Sequence, residues 1–293
     1  MVRSASPVSK LGDAINVFLL ALVLVITLYP LYYVTIISIS DGMAVMRGEV
    51  GLFPKGLTLD SYKVILKNSD IFISFKNTVV YTVLGTAINI IMSCLCAYPL
   101  SRKSFSGRKF FTKMIVVTMF ISGGMIPGYL VLNSLDMLDT MWALLLPVAI
   151  NTYNMIIIRT TFQSLPESLI ESAKMDGAND IFILIKIVLP LSKAVLATMV
   201  LFYSVSHWNN YFSAMLYLND KKKYPLQIIL RNIVISGMFS EESSMMGSVS
   251  QFRVTEMTLR YAVIIFATLP ILIVYPFVQK YFVKGVMIGS LKE

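Results

Sequence analysis

The sequence predicts an all-α membrane protein with six transmembrane helices, on the strength of three observations. The 293 residues are 56% hydrophobic and only 14% charged, where an ordinary globular chain carries about 25% charged residues, and the mean hydropathy is +0.74. Apolar runs of the length that crosses a bilayer recur six times along the chain. The short loops between them differ sharply in charge, as the loops of an oriented membrane protein do. Backbone groups inside lipid must be satisfied within the segment, so the runs are expected to be helices.

The first run, Ala14–Ser38, is too long for a signal-peptide core and lacks a small-x-small cleavage site, so it is expected to stay as the first span. A loop over 39–76 follows, with an amphipathic stretch from Leu59 to Phe72. The second span is expected at Thr78–Leu100, then a short basic loop, Ser101–Lys109. The third is expected at Phe110–Leu132, followed by the tight acidic turn Leu135–Asp139, and the fourth at Thr140–Phe162. A polar segment, 163–193, precedes the fifth at Ala194–Leu218. The loop 219–257 is rich in Ser, Met, Glu and Gly, and the sixth span is expected at Leu259–Phe282. Pro30, Pro127, Pro147 and Pro270 predict kinks in four of these. The chain 1–293 thus reads as a single transmembrane domain.

Orientation follows from the basic residues. Ser101–Lys109 holds four basic and no acidic residues, and Leu135–Asp139 holds two acidic and no basic ones. With both termini in the cytoplasm, 14 of the 25 Lys and Arg fall inside, among them Arg3, Lys10, Lys280 and Lys292. A bacterial cytoplasmic (inner) membrane location with both termini inside is expected.

The same inventory excludes several classes of function. The net charge of +9 is spread between loops, and its longest basic run, Lys221–Lys223, is only a loop, so charge serves orientation and no nucleic-acid partner is expected. Cys94 and Cys96 sit two apart in one apolar run and point to different faces, as small lipid- or helix-facing hydrophobes. The one histidine, His207, has no partner at ligand spacing, so no metal site is expected. No G-x-x-x-x-G-K-[ST] pattern is present to cradle ATP. The apolar runs also lack the buried carboxylates that a proton- or sodium-coupled carrier would place at mid-bilayer.

Segment 163–193 is the most informative stretch. Ser164 can cap a helix that begins with Pro166 and Glu167, presents Leu169, Ile170 and Ala173 on one side and Glu171 and Lys174 on the other, and ends at Gly177. A second short helix, Ile181–Val188, is expected to stop at Pro190. A short helix across the inner mouth of a bundle suits docking in a groove of another protein.

Read from Glu171 through Ser172, Ala173, Lys174, Met175, Asp176, Gly177 and Ala178 to Leu189 and Pro190, this stretch resembles the "EAA…G…LP" coupling loop of importer permeases. Other stretches resemble the maltose-type carbohydrate-uptake branch of ABC transporter permeases. They are Phe53-Pro54 with Leu57-Thr58-Leu59 and Tyr62, Asn77-Thr78, Trp142-Ala143-Leu144 with Leu146-Pro147, Trp208-Asn209, and the C-terminal run Gln279–Gly289. The closest likeness is to permeases for lipo-, oligo- or polysaccharides, alginate importers included. Ser172 stands where the motif usually has Ala, Ala194 where Pro often follows, and Lys292-Glu293 where Lys-Gly is frequent.

The resemblance implies the type I ABC importer permease fold and a permease subunit for an oligo- or polysaccharide importer, not an enzyme. ATP and Mg would be bound by separate cytoplasmic ATPase subunits, with no cofactor on this chain. The expected partners are those ATPases, a second homologous permease in a heterodimer, an extracytoplasmic sugar-binding protein and membrane lipid. ATPase coupling would fall to Glu171, Ala173, Asp176, Gly177, Leu189 and Pro190. Glu171 would pair with a basic group, Ala173 would permit close approach, and Gly177 would set the turn.

Polar residues at matching depth give a candidate substrate path: Asn151, Tyr153 and Asn154 in the fourth span, and His207, Trp208, Asn210 and Tyr211 in the fifth. Thr152, Asn209, Asn89 and the Ser122-Gly123-Gly124 stretch lie at similar depth. Uncharged hydrogen-bonding groups beside aromatic rings suit sugars. The competing reading is structural, with Asn and Ser bonding between helices and Gly124-x-x-x-Gly128 permitting close packing. A non-transporting membrane scaffold is the alternative function.

Overall fold

The computed structural model describes residues 7–236 and 254–290, with side chains for 10–235 and 254–276. These residues are helical, with no strand among them. They fall into two compact units: one runs up to Asn68 and adds Asn232–Thr268, and the other takes Ser69–Arg231 and the residues from Leu269 onward.

In the first unit, α1 (Pro7–Ser38) is long and apolar, and Pro30 lies inside it without ending it. Only its C-terminal end is buried, at Ile36, Ile37 and Ser38. There the following loop folds back. The Tyr32 hydroxyl donates to the Leu52 carbonyl at 2.6 Å, and the Thr58 amide donates to Ile39 at 2.9 Å. Asp41 caps α2 (Gly42–Met46) by accepting from the Met43 and Ala44 amides. The amphipathic stretch becomes α3 (Asp60–Lys67), which buries Ser61 and Ile65.

In the second unit, α4 (Ser69–Ser101) is the central post. It starts two turns before the expected entry at Thr78 and carries Pro99 in its last turn. α5 (Arg108–Val117) and α6 (Met125–Ser134) follow, then α7 (Trp142–Leu145), α8 (Thr152–Gln163) and α9 (Glu167–Met175). α10 (Asp180–Ile183) runs through the π-turn Leu184–Val188 into α11 (Leu189–Leu191). The chain then bends by 86° into α12 (Lys193–Trp208). α13 (Phe212–Tyr217), a 3₁₀ turn at Lys221–Lys223 and α14 (Leu226–Ser236) complete the run. α15 (Glu256–Ser290) contains Pro270 and Pro276 without breaking.

Both α8 and α12 pack on α4. Near one end Cys94, Ala97 and Tyr98 of α4 meet Met155, Ile158 and Phe162 of α8, with Ile170, Ile183, Val188, Met199 and Tyr203 closing the core. Near the other end Tyr81 meets Leu144, Leu145, Ala214, Leu218 and Ile228. Side-chain hydrogen bonds tie α4 to α12 between these layers: Ser93 to the Tyr203 hydroxyl at 2.8 Å and Thr86 to Ser204 at 3.2 Å. Such bonds substitute for the hydrophobic drive that helices lack in lipid. Cys94 is buried and Cys96 half-buried, both as free thiols.

The six apolar runs do not all become single unbroken helices. Among the described residues, three helices are long and apolar enough to cross a membrane, Lys10–Ser38, Ser69–Ser101 and Glu256–Pro276, and the bent pair Asp180–Leu191 with Lys193–Trp208 is so when taken as one span. The runs 110–132, 140–162 and 194–218 are each broken, and each break has a local cause. In the first, Gly124 sits at φ +83°, outside helical space, and α6 restarts after it with Pro127 in its first turn. In the second, Pro147 lies between α7 and α8, and the Asn151 side chain accepts from the Asn154 amide at 3.0 Å to start α8. In the third, α12 stops at Trp208, and Asn210 accepts from the Ser213 amide at 3.3 Å as α13 begins.

Candidate functional site

Two of these breaks open onto one cavity of about 290 Å³, lined by Asn89, Val148, Asn151, Asn154, Tyr203, Ser206, His207, Asn210 and Ser213. Broken helices are tolerated at membrane depth where they face protein or a cavity, and here the residues that restart α8 and α13 also form the wall. Four of the path candidates, Asn151, Asn154, His207 and Asn210, come together there. Three do not. Tyr153 is 60% exposed on another face of α8. Trp208 is buried edge-on against Phe75 at 6.0 Å, in a separate apolar cavity that includes Pro270 and Val274. Tyr211 is exposed beside Phe212.

Ser122, Gly123 and Gly124 are exposed away from the cavity. A Cβ added at Gly128 would meet the Tyr217 hydroxyl at an ordinary 3.8 Å and one at Gly124 only Pro127 at 4.0 Å, so among the described residues no helix packs closely on either glycine. Tyr203, Ser206 and Ser213 were not anticipated as lining. The signal for two of them lay in helical spacing: positions 203, 206, 207 and 210 fall on one face of α12 and its extension.

The wall is organised around His207 and Asn89. Asn89 Nδ2 donates to the Val148 carbonyl, which leaves Asn89 Oδ1 to accept from His207 Nε2 at 2.6 Å. The ring fits because residue 85, one turn before Asn89 on α4, is glycine: a Cβ there would meet His207 Cε1 and Nε2 at 2.5 Å and Cδ2 at 2.8 Å. No Asp, Glu, Lys or Arg lines the cavity. The cavity offers amide and hydroxyl donors and acceptors beside two rings, chemistry that matches a polyhydroxylated ligand.

The second candidate site is the loop after α8. Ser164 closes α8, its hydroxyl donating to the Thr161 carbonyl at 2.8 Å, and Pro166 stands at the start of α9, so Ser164 is not the cap of α9 that the sequence suggests. Ile170 is buried and Ala173 half-buried on the core, but Leu169 is exposed along with Glu171 and Lys174, so only part of the expected apolar face turns inward. Gly177 ends α9 as expected, at φ +79°. Its amide donates to the Lys174 carbonyl and the Ala178 amide to the Ala173 carbonyl, both at 3.0 Å, which is the Schellman pairing.

Asn179 then caps α10 through the Phe182 amide at 2.8 Å. Pro190 does not stop the second helix. With no N–H to give the Lys186 carbonyl, it follows a π-turn whose wide register is closed by Leu189 N–H on Leu184 O, and the helix continues to Leu191. Leu189 packs on the core and Pro190 is exposed.

The loop is fastened to the body from both sides. Lys103 pairs with Glu167 at 2.7 Å and holds that carboxyl below the usual range. The Tyr98 hydroxyl donates to Asp180 at 3.2 Å, and Lys174 pairs with Asp180 at 3.3 Å. What remains free to meet another molecule is Glu171, Asp176 and Gly177, with a protruding apolar tip at Met175, which is 88% exposed, and at Ile181 and Phe182. An apolar tip rimmed by charge on a fastened mount has the chemistry that protein docking uses. The C-terminal run Gln279–Gly289 lies in α15, with its side chains outside the described residues. So do Arg3, Lys292, Glu293 and the 237–253 part of the long loop.

Comparison with known proteins supplies the context. Residues 3–288 match the model of the family described as "Binding-protein-dependent transport system inner membrane component". The chain is 47% identical to the polygalacturonan/rhamnogalacturonan transport system permease protein YtcP of Bacillus subtilis (strain 168), over 97% of this chain and 99% of that protein. It is 44% identical to Protein LplC of the same organism, over 97% and 95%. A chain in the crystal structure of a bacterial ABC transporter involved in the import of the acidic polysaccharide alginate superposes with a TM-score of 0.89 at 37% identity, over 94% of this chain and 98% of that one.

Proposed function

Because the chain belongs to the family of binding-protein-dependent transport system inner membrane components, we propose that its cavity of about 290 Å³ is a stretch of a sugar translocation path. It is a permease subunit of an ABC sugar importer and hydrolyses no ATP itself. The observation that carries the path assignment is the convergence of Asn89, Asn151, Asn154, His207 and Asn210 from three stretches of the chain on one carboxylate-free cavity. Neutral amides and rings bind hydroxyls without holding them too tightly to be released.

In this reading the chain crosses the membrane six times, with the broken runs counted as spans and both termini in the cytoplasm. It provides half of the path, and a second homologous permease provides the rest. The loop 163–190 inserts its Met175 tip into a cytoplasmic ATPase subunit, with Glu171 meeting a basic group and Ala173 and Gly177 keeping the helix short and close. ATP-driven closure of two such ATPases rocks the permease pair between outward- and inward-open states. An extracytoplasmic binding protein delivers the substrate. The relatives named above favour a polysaccharide-derived oligosaccharide as that substrate.

Two variants test this. Asn154→Leu with Ser206→Leu changes the wall but removes neither helix-starting asparagine, and uptake of labelled oligogalacturonide should fall at least about tenfold, the cost of roughly one lost hydrogen bond in a dry site. Unchanged uptake at an unchanged membrane level would remove the cavity from the path. Glu171→Lys with Gly177→Asp should abolish co-purification of the ATPase while the chain stays in the membrane. An ATPase held equally by variant and wild type would take the coupling role from this loop.

A further inference from the structure

Where α8 leads into the coupling loop, two guanidinium groups meet around an oxygen that cannot neutralise them. With the Gln163 amide turned so that its oxygen faces them, Arg108 Nη2 and Arg159 Nη2 both donate to it at 3.0 Å. Arg159 Nε donates to the Leu100 carbonyl at 3.1 Å. Two cations sharing one neutral acceptor lie close enough to repel. Of the carboxylates in the loop that follows, Glu167 is paired with Lys103 and Asp180 with Lys174, and among the described residues neither arginine forms an ion pair. Arg108 and Lys109 also open α5, whose first turn holds no acidic residue, although a helix start favours negative charge. Local electrostatics therefore oppose this arrangement in the isolated chain, and a break of local rules without compensation marks a functional place.

The surroundings point to the kind of anion that would suit the two guanidinium groups. α5 buries none of its residues. Phe110 is 68% exposed and, with Met114 and Val117, lines one bare face of the helix. Phe111 stacks on Phe105 at 5.9 Å beside them. A basic fork at the end of an apolar run, with an uncovered aromatic and aliphatic flank, matches a ligand that is anionic at one end and hydrocarbon at the other. We propose that Arg108 and Arg159, steered by Gln163, bind the phosphate of an anionic phospholipid whose acyl chains lie along Phe110, Met114 and Val117. Two guanidiniums can offer parallel N–H pairs to phosphate oxygens, which a single lysine cannot do. The lipid would then brace the hinge between the basic loop and the coupling loop.

The test uses the full chain purified in neutral detergent, with phosphatidylglycerol, phosphatidylcholine or inorganic phosphate added, read by native mass spectrometry and thermal melting. Phosphatidylglycerol should be retained and should raise the melting temperature, and phosphatidylcholine should do neither. Arg108→Gln should weaken phosphatidylglycerol retention about fivefold, the effect of roughly one charge near an anionic headgroup, and Arg108→Gln with Arg159→Gln should abolish it. Lys221→Gln, in a distant loop, should leave it unchanged. Equal retention by the double variant and wild type, or equal retention of the two lipids, overturns the proposal. Full stabilisation by inorganic phosphate, with phosphatidylglycerol adding nothing, also overturns it in favour of a free-phosphate site. If Arg159→Gln fails to reach the membrane, half-exposed Arg108 decides alone.

Discussion

Gly85 shows how much one absent side chain can govern. The His207 ring occupies the space where a Cβ would be, with three ring atoms within 2.8 Å of it. Gly85→Ala should therefore push the ring off Asn89 and destabilise the protein by about 1–3 kcal/mol, the usual cost of overpacking. Melting in detergent would measure this, and adding His207→Ala should recover most of the loss, since it empties the contested space. Independent, additive effects of the two substitutions would mean the ring is not what holds position 85 to glycine.

Asp139 is a second such residue. It sits at φ +55°, a left-handed conformation that aspartate tolerates. It receives the Asn219 and Asp220 amides at 3.0 Å and Lys223 Nζ at 2.7 Å. The Asp220 amide first, then Lys223 and the Asn219 amide, lower its pKa from 3.8 to about 2. A depressed carboxyl stabilises the fold above its unfolded value, and the contribution fades as pH falls from about 4 towards 2. Protection of the 219–220 amides from hydrogen exchange should thus be constant between about pH 5 and 7 once intrinsic rates are divided out, and Asp139→Ala should lose it throughout that range.

At the element scale, segment 163–193 is a set of stops and starts. Gly177 faces open space, so Gly177→Ala meets no clash. Its cost is conformational, about 1–2 kcal/mol for forcing a Cβ into the left-handed region at φ +79°. Asn179→Ala removes the cap on the Phe182 amide and should cost about 1 kcal/mol. Amide exchange across 176–184 should quicken in both variants while the core around Phe162 keeps its protection. Quickening of that core as well would mean the loop and the core unfold as one unit. The end of α9 was legible in the sequence, because a glycine after an amphipathic turn is a local signal. The π-turn before Pro190 and the role of Ser164 were not. Each depends on which carbonyl lacks a donor, and that is decided only when the register is fixed. Hydropathy likewise found the runs 110–132, 140–162 and 194–218 but not their breaks, since apolar content does not report φ at Gly124 or caps at Asn151 and Asn210.

For the whole molecule, the two candidate sites occupy the same compact unit, joined through α8 and α12 to the single post α4. The proposed mechanism therefore predicts that movement imposed on the loop after α8 reaches Asn151 and Asn154 at the other end of the same helix. The variants should separate accordingly. The cavity pair Asn154→Leu and Ser206→Leu should lose uptake and keep the ATPase, whereas Glu171→Lys with Gly177→Asp should lose both. Stimulation of ATP hydrolysis by a loaded binding protein, measured in proteoliposomes, should persist in the first and vanish in the second.

The sequence by itself determined that this chain is helical and membrane-embedded, that it has no G-x-x-x-x-G-K-[ST] pattern, and that 163–193 resembles a coupling loop. Those properties reside in composition, run length and local order, which need no partner across the fold. It also marked Asn151, Asn154, His207 and Asn210, because polar groups are costly in apolar runs wherever they end up. Only the tertiary structure decided that these four share a cavity with Tyr203, Ser206 and Ser213 while Tyr153, Trp208 and Tyr211 turn elsewhere. The same holds for Asn89 and His207, which lie 118 positions apart yet share a hydrogen bond. Adjacent residues on a helix point about 100° apart, so the direction of each side chain depends on where the helix starts, and those starts are set by caps and breaks that packing selects.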